Sequence, residues 1–226
     1  MYRYETHLHT SPVSKCGHAT VEENVDFYKS MGYDGIFVTN HFLDGNINVD
    51  QSLSYKEKIN YYFNDYERAF EYGKKVGLKV FCGVEITYKG TDFLVYGLDK
   101  EWYLKHEKIM YMEKREELDY LRKKGALVIQ AHPYRRADYI DHIRLYPDNV
   151  DGMEVLNANR TPLENKMAEI MVEEYGHLKT AGTDNHLGPR QKKFAGMESD
   201  TPIVSEEDFI QRVRDNTLKI FRFDLE

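Results

Sequence analysis

The chain has 226 residues, of which 41% are hydrophobic and 31% charged, with a formal net charge of −7 at pH 7. That length suits a single domain over residues 1–226 with a full core, and the composition excludes a disordered chain. The acidic balance argues against nucleic acid as a partner, no apolar run reaches the roughly 18 residues of a membrane span, and two cysteines outside any C-x-x-C spacing, with no leader pattern, make the cytoplasm the expected compartment.

Tyr2 to His9 reads as the first strand and runs into Thr6-His7-Leu8-His9-Thr10. Successive strand residues point to opposite faces, so His7 and His9 project to one side. His18 follows in a Cys-Gly-His-Ala loop, and Thr20 with Glu23 three residues on signals a helix start, closed by Gly32. A strand at Gly35 to Thr39 is followed by Asn40 and His41. Ile59, Tyr62, Phe63, Tyr66, Ala69, Phe70 and Val76 recur at helical spacing in a long helix that ends near Gly77. Val80 to Ile86 is a strand holding Glu85, and Phe93 to Tyr96 is a strand preceded by Asp92.

A helix is expected from about Lys100 to Lys124, then a strand at Ala126 to Ala131 followed by His132. The strand Gly152 to Leu156, the helix Pro162 to Tyr175 and the strand Leu178 to Thr183 come next, the last followed by Asp184 and His186. A helix from Ser205 to Asn216 and a strand from Lys219 to Phe223 complete the chain. The alternation predicts parallel strands joined by crossover helices, in a doubly wound sheet or a barrel.

Most of the polar residues just named stand at C-terminal strand ends, where an α/β barrel carries its active site. Six imidazoles and three carboxylates gathered there are costly without compensation, which divalent metal ions supply. Mixed nitrogen and oxygen donors suit zinc, manganese or iron, and nine donors suffice for two or three such ions. The candidate ligands are His7, His9, His18, His41, Glu85, Asp92, His132, Asp184 and His186. His106, His142 and His177 carry no motif and read as ordinary surface residues.

The segments ETHLHT, CGHA, VTNH, GVE, TDFLVYGLD, QAHPYR and AGTDNH together resemble the polymerase and histidinol phosphatase (PHP) superfamily, with CGHA most similar to its histidinol-phosphatase branch. The resemblance implies a distorted (β/α)7 TIM-like barrel, up to three metals and phosphoester hydrolysis. The same nine residues fall on family ligand positions, Asp92 standing where many members have histidine. Glu5 and Asn40 stand where the family usually has aspartate, and both are expected to orient imidazoles.

The expected reaction is hydrolysis of a small phosphorylated metabolite, a phosphomonoester, by hydroxide generated on the metals with no covalent enzyme intermediate. Asp184 and His186 would act at the centre. Arg135 and Arg160 would hold the phosphate, with Arg190 a third candidate. Glu154 ends near the same mouth as a supporting or packing carboxylate and is not counted as a ligand. The alternatives are a phosphotyrosine-protein phosphatase or exonuclease of the same superfamily, an amidohydrolase, and a non-catalytic metal-binding regulatory domain. Against an amidohydrolase, no lysine stands at a strand end as a carboxylated bridge.

Overall fold

Short apolar runs and longer amphipathic ones become, in the computed structural model that describes residues 1–225, nine strands and six α-helices. Their order is β1 (Tyr2–Leu8), α1 (Val21–Ser30), β2 (Gly35–Val38), α2 (Tyr55–Val76), β3 (Lys79–Tyr88), β4 (Thr91–Tyr96), α3 (Lys100–Leu104), α4 (Lys114–Lys123), β5 (Leu127–Gln130), β6 (Gly152–Asn157), α5 (Pro162–Tyr175), β7 (Leu178–Gly182), β8 (Lys193–Ser199), α6 (Glu206–Arg214) and β9 (Lys219–Asp224). Helices α1, α2 and α5 each begin with a reciprocal capping box, Thr20 with Glu23, Ser54 with Glu57 and Thr161 with Glu164. Each box satisfies backbone donors that the first helical turn leaves open.

The strands form one sheet in the order β7-β6-β5-β4-β3-β2-β1-β8-β9. The sheet curls until the segment after β7 meets the end of β1. There Asn185 N–H donates to the His7 carbonyl at 3.2 Å, and His9 N–H donates to the Asn185 carbonyl at 3.0 Å. The barrel is nearly closed, but it is not a (β/α)7 barrel: β4 is antiparallel to β3 and β5, and β8 is antiparallel to β1 and β9.

The reversal at β4 has a local cause. Only Lys89 and Gly90 separate β3 from β4, with φ of 52° and 79°. Two left-handed residues in succession make a tight hairpin turn, whereas a parallel crossover needs about a dozen residues or more. β8 carries no strand signal in the sequence, because Ala195, Gly196 and Glu198 dilute it. The expected helix from Lys100 to Lys124 is also broken. His106 stacks on Trp102 with ring centroids 4.0 Å apart, and its Nδ1 lies 2.6 Å from the Trp102 carbonyl. The ring thereby takes the acceptor that the next helical N–H would use, and a 3-10 turn at Glu107–Tyr111 intervenes before α4.

At one end of the strands Phe37 stacks on Phe81 at 4.8 Å and meets Tyr96 at 5.3 Å and Phe209 of α6 at 4.4 Å. No helix among the described residues is long and apolar enough to cross a membrane.

Candidate functional site

The opposite end of the same strands gathers the titratable residues. His7 is the last residue but one of β1 and His9 lies just beyond the strand; His41 lies beyond β2 and bridges in parallel to Glu85 of β3. Because β4 runs antiparallel, its first residues lie where the neighbouring strands finish, and Asp92 pairs with Thr87 in that register. His132 follows β5, and Asp184 and His186 follow β7.

Three donor atoms form a near-equilateral triangle. His7 Nε2 lies 3.2 Å from His9 Nε2 and 3.4 Å from Asp184 Oδ1, and His9 Nε2 lies 3.3 Å from the same Asp184 oxygen. A tetrahedral zinc site with bonds of about 2.0–2.2 Å has ligand atoms roughly 3.3–3.6 Å apart, so the spacing fits a divalent ion. Glu85 extends the constellation. Its Oε1 is 3.1 Å from His7 Nε2 and 3.7 Å from His132 Nε2, while its Oε2 is 3.3 Å from His9 Nε2 and 2.8 Å from His41 Nδ1. Glu85 Oε2 and His41 Nδ1 are both buried, and despite their closeness neither makes a properly directed hydrogen bond among the described residues. Buried polar atoms left this way are costly, and a shared cation relieves both. Three overlapping groups of ligand atoms are close enough to hold an ion, His7, Glu85 and His132; His7, His9 and Asp184; and His9, Cys16, His41 and His186, with His7 and His9 each shared by two of them.

The charges are mutually set. Burial opposes a charge on His7, but Asp184, Glu154 and Glu85 carry its pKa well above the ordinary value. Burial, with His186 and His41 adding repulsion, drives His9 well below it, leaving a neutral imidazole whose lone pair can ligate. Burial would raise Glu85 and Asp184, yet the surrounding histidines hold both carboxyls well below their ordinary range.

Behind the cluster stands Glu154, expected near the mouth as a supporting or packing carboxylate, and it takes the supporting place. His7 Nδ1–H donates to its Oε1 at 3.0 Å, and its Oε2 accepts from His132 N–H at 3.0 Å and Asn157 Nδ2 at 2.9 Å. It thereby orients the His7 ring with Nε2 toward the triangle. Glu5 is pushed up to about 7 by burial and accepts from His7 N–H, Thr183 N–H and Tyr28 OH. It therefore braces the His7 and Thr183 backbone and hydrogen-bonds no imidazole among the described residues, contrary to expectation. Asn40 acts at one remove: its Oδ1 accepts from Ser14 Oγ at 2.8 Å, and Ser14 Oγ lies 3.3 Å from His9 Nδ1.

Two site residues hold left-handed backbone, His132 at φ 28° and Asp184 at φ 57°. Such conformations are costly for residues with a Cβ and persist where surroundings over-determine them. Glu154 pins His132, and Asn159 Nδ2 pins Asp184 by donating to its carbonyl at 2.9 Å.

The cluster opens into a cavity of about 660 Å³ that Arg135, Tyr139, Arg160 and Cys16 also line. Arg135 donates to Asp92 Oδ2 at 3.1 Å and to Tyr139 OH. Arg160 keeps a buried Nε–H with no hydrogen-bond partner among the described residues. Arg190 is exposed and does not line the cavity. His18 is exposed as well, and only its backbone joins the site region, by donating to the His186 carbonyl at 2.8 Å. The CGHA loop turns Cys16 inward instead; burial pushes its thiol up, but hydrogen bonds with His186 and His41 bring it down to about 6. His106, His142 and His177 stand outside all three groups.

Residues 5–197 match the family model described as PHP domain. Among solved structures, the chain is similar to a two-domain protein from Bacteroides vulgatus containing a predicted PHP-like metal-dependent phosphoesterase, with 14% identity and a TM-score of 0.70. That alignment covers 97% of this chain but 64% of the other, so the chain spans less than two thirds of that protein. It is also similar to a candidate metal-dependent phosphoesterase from Bifidobacterium adolescentis, at 12% identity and TM-score 0.56, covering 96% and 97% of the two chains. An amidohydrolase from Chromobacterium violaceum, solved with sulfate and no metal, matches at 12% identity and TM-score 0.55 over 97% and 98%. At these identities the likenesses establish the fold alone. No curated protein matches in sequence.

Proposed function

The chain belongs to the PHP domain family, and from that premise we propose that it is a metal-dependent phosphoesterase acting on a small phosphorylated metabolite, a phosphomonoester of the histidinol-phosphatase type. The observation that carries this reading is the triangle of His7, His9 and Asp184 donors with edges of 3.2–3.4 Å. Two or three divalent ions, of zinc, manganese or iron, would be held by His7, His9, His41, Glu85, Asp92, His132, Asp184 and His186. When bound, such ions supply a water acidic enough to attack phosphorus at neutral pH and positive charge for the phosphoryl oxygens.

The residues do the rest. Glu154 holds His7 by Nδ1 and turns its Nε2 toward the other donors, where an ion would take the place of the Nε2 proton, and Asp184 stays ionised between the His7, His9 and His186 nitrogens, 3.3–3.4 Å away. Arg160 lines the cavity, where its guanidinium would meet a phosphate oxygen. Arg135 supplies a second guanidinium, already committed in part to Asp92. A cavity of about 660 Å³ is of small-molecule size, which favours a metabolite over a polymer strand. The net charge of −7 points the same way. Amide hydrolysis with a carboxylated lysine bridge finds no support, since no lysine is among the residues lining the cavity.

The test couples elemental analysis of protein purified without chelator to turnover of phosphomonoesters, phosphodiesters and amides. The expected result is at least two transition-metal ions per chain, and phosphomonoester hydrolysis that chelator abolishes and manganese, zinc or iron restores. Metal content near zero, or turnover of amides in place of phosphoesters, overturns the reading.

A further inference from the structure

The PHP ligand pattern places a histidine in the loop after the first strand, yet here His18 faces solvent and Cys16 faces the cavity. The loop is built to hold that arrangement. Ser14 N–H donates to the Thr10 carbonyl at 3.0 Å, Gly17 N–H to the Ser14 carbonyl at 3.1 Å, and Lys15 N–H to the Asn46 carbonyl at 2.9 Å. Gly17 presses so closely on the backbone of Thr10 that a Cβ would sit 2.7 Å from the Thr10 carbonyl carbon. Only glycine fits there, and it lets the chain turn Cys16 back over the end of β1.

Cys16 does not stand alone. Its Sγ and one ring nitrogen each from His9, His41 and His186 all lie within 4.8 Å of one another. The four residues come from separate segments, after β1, from the loop, after β2 and after β7. The His9 ring stacks on His186 at 4.1 Å and lies 4.5 Å from His41, so the imidazoles surround the thiol's corner of the cavity.

Resting on the metal-centre reading above, we infer that Cys16 binds through sulfur to the ion held by His9, His41 and His186, completing a three-nitrogen, one-sulfur set. As the sulfur–metal bond forms, the S–H proton leaves to solvent and no electron changes hands. A thiolate among imidazoles selects zinc, cobalt or iron over manganese and magnesium, whereas the corners at His7, Glu85 and His132 and at His7, His9 and Asp184 contain only nitrogen and oxygen. Because an imidazole nitrogen serves one ion at a time, His9 given to the soft position leaves His7, Glu85 and His132 as the separate harder one, and the site would be unequal. Cys16 then serves as a ligand and not as a nucleophile.

The test loads metal-free protein with cobalt(II), counts bound ions by elemental analysis, and records absorption spectra. The expected spectrum shows a near-ultraviolet thiolate-to-cobalt charge-transfer band together with visible ligand-field bands. Cys16→Ser should lose the charge-transfer band and keep ligand-field absorption, and Cys82→Ser, at the buried second cysteine, should keep both. Alkylation of Cys16 in the wild-type chain should slow roughly tenfold or more when metal is bound, because the free thiolate is the reacting species. This second measurement stands even if Cys16→Ser does not fold. Cobalt bound without the charge-transfer band, or with alkylation unchanged, overturns the ligand role and leaves the metal-centre reading intact. No bound cobalt overturns both.

Discussion

The same four strands supply two different ends. β1 contributes Tyr4 toward one end and His7 toward the other; β2 contributes Phe37 before His41, β3 Phe81 before Glu85, and β4, running backwards, Asp92 before Tyr96. At the aromatic end Phe37, Phe81, Tyr96 and Phe209 meet at centroid distances of 4.4–5.3 Å, and each buried side chain stabilises the fold by about 1.5–3 kcal/mol. At the ionisable end His7, His9 and Glu85 are just as buried, at 0–1% exposure. There burial is a cost that hydrogen bonds offset only in part. The residue type follows the end of the barrel and not the direction of the chain, which is why Asp92 opens its strand while its partners close theirs. One end stabilises the domain without help; on the metal-centre proposal, the other would acquire its full stability when a cation joins it.

That contrast predicts a double dissociation, the largest effect expected. Asp184→Asn should lose at least one bound ion, with affinity falling by more than the roughly 10–100-fold typical of supporting residues. Phe209→Ala should keep the metal and lose about 3–5 kcal/mol of stability. Chelator should lower the wild-type midpoint by roughly 5–10 °C, taking about 2.7 kcal/mol for an ion at a hundredfold excess over its Kd. The same shift should survive in Phe209→Ala and shrink in Asp184→Asn. Thermal scans with and without chelator, beside metal counts, decide it; equal shifts in both variants would dissolve the distinction between the ends.

A smaller effect sharpens the boundary of the ionisable end. Glu154→Gln keeps the size of the side chain but puts an amide N–H toward groups that all donate, namely His7 Nδ1, His132 N and Asn157 Nδ2. Metal affinity should fall about 10–100-fold, roughly 1.4–2.7 kcal/mol, while the chain stays folded. Metal titration of the variant checks this, and unchanged affinity would make Glu154 a packing residue. At the rim, Arg160→Ala should leave metal content intact and raise the KM for a phosphomonoester about tenfold, the loss of one charge-assisted contact. Unchanged kinetics would return Arg160 to the cavity wall.

Much of this layout is legible in the chain because it depends on short-range rules. The capping box at Thr20 marks a helix start, and the spacing of His7 and His9 needs only the period of a strand. What escapes depends on details that periodicity does not carry. The direction of β4 turns on two residues, Lys89 and Gly90; the break before α4 turns on one ring at His106; and β8 owes its place to pairing with β1 and β9. In the site, residues on regular elements or their immediate ends converge as the pattern implies. Glu154 is placed near the mouth, but the choice between support and packing stays open because a carboxylate on a strand looks alike whether it supports a ligand or a salt bridge. Cys16 and His18 differ by two positions in an irregular loop, where no period says which side chain turns inward.

His18 therefore carries the smallest expected effect. Family resemblance puts it among the ligands, but its side chain is exposed and belongs to none of the three groups of converging donors. Its contribution near the site is the backbone N–H given to the His186 carbonyl, a bond that alanine retains. His18→Ala should therefore bind as many ions as the wild type, keep its thermal response to chelator and change stability by no more than about 0.5 kcal/mol, the usual range for a surface substitution. Metal counts and a chelator titration of the variant beside Cys16→Ser give the comparison. Should His18→Ala shed an ion that Cys16→Ser retains, the loop would have to turn over on binding metal, and the soft corner of the site would belong to histidine.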